Sequence, residues 1–155
     1  MQTRGIRRTP ASLLRTACGL ALGSLVYGLG LSAQTNHVVT ATQANGVYRH
    51  NDDEFRILAL GHNRLKVQYS GVYNTAAGGQ NTGNALGEAT IDGDVATFIP
   101  PDTQNCKITI TFLPNKLQVT QADSDGDCGF GHNVSAEGTY RKVKSGRPRF
   151  LPLPQ

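Results

Sequence analysis

The residues whose types could best support catalysis lie between positions 128 and 140, in the sequence CGFGHNVSAEGTY. A serine hydrolase needs a histidine within reach of the serine and a carboxylate that orients the histidine. His132, Ser135 and Glu137 supply these three types, but they stand close together on one short segment, and the chain has no G-x-S-x-G motif. Three such residues on one tight loop are typical of a turn. The sequence therefore predicts neither a catalytic residue nor an enzyme.

The acidic run QADSDGDCGF is the second candidate for chemistry. Asp123, Asp125 and Asp127 alternate along it, as acidic ligands do in calcium loops. In an EF-hand the glycine follows the third acidic position and a glutamate occupies the twelfth. Here Gly126 stands between the second and third acids and Val134 holds the twelfth position, so a solvated acidic turn is the preferred interpretation. No C-x-x-C or H-E-x-x-H pair indicates zinc, and no cofactor is predicted.

The first 33 residues are typical of a secretory signal peptide. Four arginines precede an uncharged, apolar run at 17–33, and the small residue Ala33 allows cleavage before Gln34. A retained membrane anchor is the alternative, because the run approaches the roughly 20 residues that span a bilayer. We expect cleavage, a periplasmic or extracellular location, and no membrane span in the mature protein.

The formal net charge of +4 comes from the four arginines of this leader. From Gln34 onward, 11 Lys and Arg balance 11 Asp and Glu, and five of those cations crowd the C-terminus. The stretch 34–140 is therefore acidic. Nucleic-acid binding requires clustered Lys and Arg, usually with stacking aromatic residues. The charge distribution gives no support for a nucleic-acid partner.

The 122 residues after the leader suit a single domain. Its cysteines are Cys106 and Cys128, and an even pair in an exported chain predicts a disulfide. Closing a loop of about 22 residues should stabilise the fold by roughly 3 kcal/mol in the chain-entropy model.

Short alternating segments predict an all-β domain. Apolar and polar residues alternate in RLKVQYS, CKITITF and KLQVTQ, as in strands with one buried face. Asp92-Gly93 and Pro114-Asn115 predict hairpin turns. The further segments GVYR, EFRILAL, GEATI, DVATFI and GTYRKV bring the total to about eight strands. An antiparallel meander of this size usually closes into a small barrel, because closure removes exposed edges; a β-sandwich is the alternative.

The predicted organisation has four parts: a signal peptide at 1–33, an N-terminal extension at 34–45, a β-barrel domain at 46–144 and a Pro-rich basic tail at 145–155. The segment 73–87 is rich in Gly and Asn and predicts a long mobile loop. The barrel interior is expected to be filled by side chains, or to hold at most one small ligand. Phe130 is expected to cap one end of the core, and Tyr140 to point inward.

Three motifs resemble small exported bacterial domains grouped with lysozyme-inhibitor-like proteins. They are C-x-I-x-I-x-F at 106–112, L-x-V-x-Q at 117–121 and D-C-G-F-G-x-N-V-x-A-x-G-x-Y at 127–140. The resemblance implies a barrel that inserts a surface loop into the lysozyme cleft, through a Ser-Gly-Ser-Gly-Ala-x-Tyr pattern. In this chain Ser135, Gly138 and Tyr140 supply the serine, the glycine and the tyrosine of the pattern. One residue separates Gly138 from Tyr140, where the pattern has two. The implied partner-binding residues are His132, Asn133, Ser135, Glu137 and Tyr140.

The leading hypothesis is a secreted or periplasmic protein that binds a protein partner and inhibits a lysozyme. An acidic barrel would be steered towards a cationic lysozyme. A lipocalin-like carrier of a small apolar ligand is the second hypothesis, which an open interior would favour and an interior filled by side chains would oppose. The third is a structural or adhesive envelope component attached through residues 147–155.

Overall fold

The computed structural model describes residues 38–103 and 105–153, and the signal peptide predicted at 1–33 lies outside them. The elements are α1 (Ala41–Ala44), β1 (Gly46–His50), β2 (Asp53–Gly61), β3 (Arg64–Asn74), β4 (Gln80–Asp92), β5 (Val95–Phe98), β6 (Lys107–Leu113), β7 (Lys116–Ala122) and β8 (Gly138–Ser145). Each strand pairs antiparallel with the next one along the chain, and β1 pairs with β8. The eight-stranded closed barrel is therefore confirmed, and the sandwich alternative is excluded.

The predicted hairpins are present at the predicted positions. Gly93 and Asp94 connect β4 to β5, and Pro114 and Asn115 connect β6 to β7. Gly93 and Asn115 have φ angles of 61° and 58°, in the left-handed region that glycine and asparagine tolerate. These short connections fix which neighbouring residues pair, because in a tight hairpin the turn sets the register.

Inward-pointing side chains fill the barrel. Phe98, Ile108 and Ile110 have no exposed surface, and Phe112 is 4% exposed. Phe55 packs against two buried tyrosines, with ring centroids 5.0 Å from Tyr69 and 4.8 Å from Tyr140. An open cavity would have favoured the carrier hypothesis. The interior is filled by side chains, so it does not support that hypothesis.

The prediction of a long mobile loop at 73–87 is wrong over most of its length. β3 continues to Asn74 and β4 begins at Gln80, so only residues 75–79 form the turn. The reason is packing: a Cβ at Gly83 would lie 2.8 Å from Cγ of Phe130 and 2.8 Å from Cγ1 of Val134. Glycine makes room for side chains from another segment, so tertiary packing overrides its low strand propensity.

The short helix α1 covers one end of the barrel, which we call the helix end. Thr40 and Gln43 form a capping box at its N-terminus. The Tyr48 hydroxyl, inside the barrel, donates to the carbonyls of Gln43 and Ala44 at 2.9 Å each. Lys142 also points into this end and donates to the Gln43 carbonyl. In the described part of the chain, no helix has the length and apolar character needed to cross a bilayer.

The described residues after β8 stay on the barrel. Residues 146–153 have no regular secondary structure and cross the outer wall of β2 and β3, where Gln68 binds the main chain of Leu151. Pro148 is buried in this position. The described part of the predicted Pro-rich tail thus packs on the domain.

Replacing Gly83 with alanine tests whether the glycine is required by packing. Gly83→Ala should destabilise the protein by about 1 to 3 kcal/mol, because the new methyl group overlaps Phe130 and Val134. Urea unfolding measures this difference. Gly126→Ala is the matched control, since a Cβ there lies 3.8 Å from its nearest neighbour, and it should change stability by less than about 0.5 kcal/mol. Equal midpoints for the two variants would contradict the packing explanation.

Candidate partner-binding loop

The connection between β7 and β8, residues 123–137, is the candidate site, and we call it the disulfide loop. It lies at the same end of the barrel as the β1–β2, β3–β4 and β5–β6 connections, and we call this the loop end. Cys128 in the loop is bonded to Cys106 just before β6, with 4.7 Å between the Cα atoms. The predicted disulfide is confirmed, and it ties the middle of the loop to the barrel wall.

Two buried tyrosine hydroxyls hold the second half of the loop. Tyr69 donates to the carbonyl of Ser135 at 2.8 Å, and Tyr140 donates to the carbonyl of Ala136 at 3.0 Å. Both tyrosine side chains have no exposed surface. Tyr140 is therefore an internal anchor, and its prediction as a partner-contacting residue is wrong because its ring is in the core. Alternation in RLKVQYS placed Tyr69 inside, but nothing in the sequence indicated which carbonyl its hydroxyl would meet.

Two apolar side chains of the loop plug this end of the core. Phe130 is 6% exposed and Val134 is 2% exposed. The Phe130 ring lies 5.0 Å from that of Tyr69. The main chain is also fixed, since the Gly131 amide donates to the Thr82 carbonyl at 2.9 Å. The prediction that Phe130 caps the core is confirmed. These contacts also restrict the motion of the loop.

The acidic residues of the loop bind its own backbone. The Asp125 carboxylate accepts from the amides of Asn133 at 2.5 Å and Gly126 at 2.8 Å, and these bonds hold its pKa below the ordinary range. The Asp127 carboxylate accepts from the Ser124 hydroxyl at 2.6 Å. Across residues 38–103 and 105–153, no three His, Cys, Asp or Glu side chains come together as metal ligands do. Two carboxylates of the calcium candidate, those of Asp125 and Asp127, therefore act as turn caps, and the side chain of the third residue, Asp123, is exposed.

The residues that could be drawn as a triad have separate partners. Nδ1 of His132 lies 3.6 Å from an Asp125 oxygen, and the imidazole is 82% exposed. The Ser135 hydroxyl oxygen accepts from the amide of Glu137 at 3.1 Å. Glu137, Asn133 and Ser135 are all exposed. Four of the five predicted partner-binding residues thus lie together on the surface of a fixed loop.

The connections of the loop end are acidic, and Lys107 at the start of β6 adjoins one of them. These connections contain six carboxylates, and their described residues include no lysine or arginine. The carboxylates belong to Asp52, Asp102, Asp123, Asp125, Asp127 and Glu137. At the helix end, the three hairpin turns contain a single acid, Asp94, between strands. The negative charge is therefore concentrated around the disulfide loop.

The fold and the loop define a class of protein, the small closed β-barrel that displays an acidic loop anchored by a disulfide. Comparisons with protein-family models, with curated proteins and with solved structures find no match.

Removing the Tyr69 hydroxyl tests the internal anchoring of the loop. Tyr69→Phe leaves the Ser135 carbonyl without its donor, and we expect a loss of about 1 to 3 kcal/mol in unfolding free energy. Amide hydrogen exchange should also accelerate in the second half of the loop. Tyr73→Phe, on the same strand but 41% exposed, is the control and should leave both measurements unchanged. Equal exchange rates in the two variants would show that the hydroxyl does not hold the loop.

Alkaline pH should unfold the protein, because burial raises the pKa of Tyr48, Tyr69 and Tyr140 far above the ordinary value of 10.0. Above that pH the unfolded chain loses these protons while the native state keeps them. Stability is therefore complete below about pH 10 and falls as the pH rises, by about 1.4 kcal/mol per pH unit for each tyrosine. Urea unfolding at increasing pH measures the slope, and a flat profile would contradict the burial of these hydroxyls.

Proposed function

We propose that the protein binds a cationic protein partner through the disulfide loop, and that this partner is a lysozyme whose cleft the loop blocks. The observation that carries the proposal is the concentration of carboxylates around a loop that is fixed by one disulfide and two buried hydroxyls. The disulfide is compatible with an exported protein, because such bonds persist in oxidising compartments.

Electrostatic attraction would bring the partner to the correct end of the barrel. Six carboxylates without a neighbouring lysine or arginine in the same connections make a negative surface. Such a surface raises the association rate with a cationic protein, and the effect weakens as salt screens it. Lysozymes are cationic, so they fit this end of the molecule better than the walls that carry Lys and Arg.

The exposed tip of the loop provides hydrogen-bond donors for the cleft. Lysozymes carry two carboxyl groups in the active site, and the Ser135 hydroxyl and the Asn133 amide could donate to them. Because Tyr69 already holds the Ser135 carbonyl at 2.8 Å, little conformational entropy would be lost when the loop is bound. Inhibition of this kind requires affinity alone and needs no catalytic group in the barrel.

The two other hypotheses gain less from the structure. A carrier would need space in an interior that Phe98, Ile108 and Ile110 fill. An attachment role for the C-terminal tail would require the segment to leave the barrel, whereas residues 148–151 pack on it. Loop-mediated protein binding is therefore the function that the described contacts support best.

Lysozyme assays with charge-neutralised variants test the proposal. The double variant Asp123→Asn with Glu137→Gln should weaken inhibition by about tenfold at low salt, mainly through slower association. Asn is suited to position 123, where φ is 75°. Asp92→Asn with Asp94→Asn, at the end of β4 and in the turn that follows it, is the matched control and should inhibit as the wild type does. The proposal fails if c-type, g-type and i-type lysozymes all remain fully active at micromolar excess of the wild-type protein.

A further inference from the structure

The C-terminal tail, residues 147–153, is held on the barrel wall by bonds to its main chain. A guanidinium nitrogen of Arg56 donates to the Arg149 carbonyl at 2.5 Å. The Gln68 amide donates to the Leu151 carbonyl at 2.8 Å, and its oxygen accepts from the Leu151 amide at 2.9 Å. All of these hydrogen bonds are made to main-chain atoms of the tail. Peptides that add a strand to a sheet or bind in a groove are recognised through the same kind of bond.

Gln68 is placed as a receptor residue would be. It points outward from β3, where side chains of a soluble barrel normally meet water, yet it is only 2% exposed. Its donor and its acceptor are both taken by one residue, Leu151. A buried amide without these partners would carry a substantial cost. The tail therefore supplies the hydrogen-bond partners that the buried Gln68 side chain requires.

Alternate side chains of the tail also contact the wall. Pro148 is buried and Phe150 is half-buried, while Arg149 between them is exposed. The ammonium of Lys66 lies 4.7 Å from the centre of the Phe150 ring, a geometry that is attractive for a cation over an aromatic face. Contacts by two alternate side chains, those of Pro148 and Phe150, combined with main-chain hydrogen bonds are typical of the recognition of extended peptides.

The link between the barrel and the tail plays no part in this recognition. The pairing of β1 with β8 ends at Ser145, so the barrel closes before the tail begins. Gly146 follows, exposed and with a φ of 84°, and a Cβ there would touch nothing within 4 Å. The contacts of the tail are therefore made independently of its covalent attachment.

We propose that the tail groove, the outer wall at Arg56, Lys66 and Gln68, is a recognition site for extended segments of the pattern Pro-x-Phe followed by a residue whose amide and carbonyl bind Gln68. The resident occupant is the chain's own tail, and the occupant in trans is the tail of a second copy. The tail groove contains no residue of the disulfide loop, although Leu153 at the end of the tail lines a cavity together with Cys128 and Gly129 of that loop. Recognition in the groove does not depend on the function proposed for the loop. Exchange of identical tails costs little, because every hydrogen bond that breaks in one copy forms again in the other.

Tethering determines which tail fills the groove. A tail joined by a short flexible link is present at an effective concentration of the order of millimolar. The chain's own tail therefore wins at micromolar protein concentration. A trans tail binds when the resident one has been cut and removed.

The experiment begins with the folded full chain carrying a site-specific protease sequence inserted after Gly146. After cleavage, the severed tail should remain bound and should exchange with a fluorescent synthetic peptide of residues 147–155. The uncut chain should not take up this peptide at micromolar concentration. Gln68→Ala should weaken uptake by about tenfold or more, as expected when two hydrogen bonds are removed. Gln118→Ala, an exposed glutamine on β7, is the matched control and should bind the peptide normally.

A second measurement examines the two-copy form. Full-length Gln68→Ala chain, whose own groove holds its tail weakly, should form a one-to-one complex with cut wild-type barrel that has been cleared of its peptide. Near-ultraviolet circular dichroism monitors the buried tyrosines throughout. The proposal is overturned if a folded, cleared barrel fails to take up millimolar peptide or binds a scrambled sequence equally well. It is also overturned if the barrel unfolds when the tail leaves, because the tail would then be part of the fold.

Discussion

Buried tyrosine hydroxyls couple the closed barrel to the segments that cover its two ends. Tyr48 binds carbonyls of α1, whereas Tyr69 and Tyr140 bind consecutive carbonyls of the disulfide loop. A hydroxyl left unpaired in the core would be costly, so each end segment has to lie where its carbonyls meet these groups. The rings of Tyr69 and Tyr140 also pack against Phe55 in the middle of the barrel. The same tyrosines therefore pack the core and position the loop, so the conformation of the disulfide loop depends on the packing inside the barrel.

The strands and the disulfide could be predicted because each depends on local or simple information. A buried face requires period-two alternation, and Cys106 and Cys128 are the two cysteines of the predicted domain, so each has only the other as a partner within it. The strand at 80–87 could not be predicted, since Gly83 is explained by Phe130, which is 47 positions away in the chain. Gln68 was missed for a similar reason. The alternation pattern predicts that Gln68 points outward into solvent. Its burial depends on the position of the C-terminal tail, which the pattern does not predict.

The candidate site was partly predictable. Turn-forming residues indicated an exposed loop, and His132, Asn133, Ser135 and Glu137 are indeed on its surface. Tyr140 shows the limit of motif reasoning, because a motif states which residue types are present and leaves open which side of the strand they occupy. Alternation in the last strand placed this tyrosine inside, and the strand register was the better guide. The roles of Asp125 and Asp127 as caps depend on loop conformation, which no spacing rule supplies.

The uneven placement of charge along the chain has a consequence for how the molecule meets a partner. Carboxylates surround the disulfide loop, whereas Lys142 and Lys144 lie in the half of β8 that is nearer to the helix end. Such a separation gives a nearly neutral domain a permanent dipole moment. In the field of a highly charged macromolecule, a dipole experiences a torque before any surfaces touch. Rotational diffusion would then be biased, and a larger share of collisions would begin in one orientation.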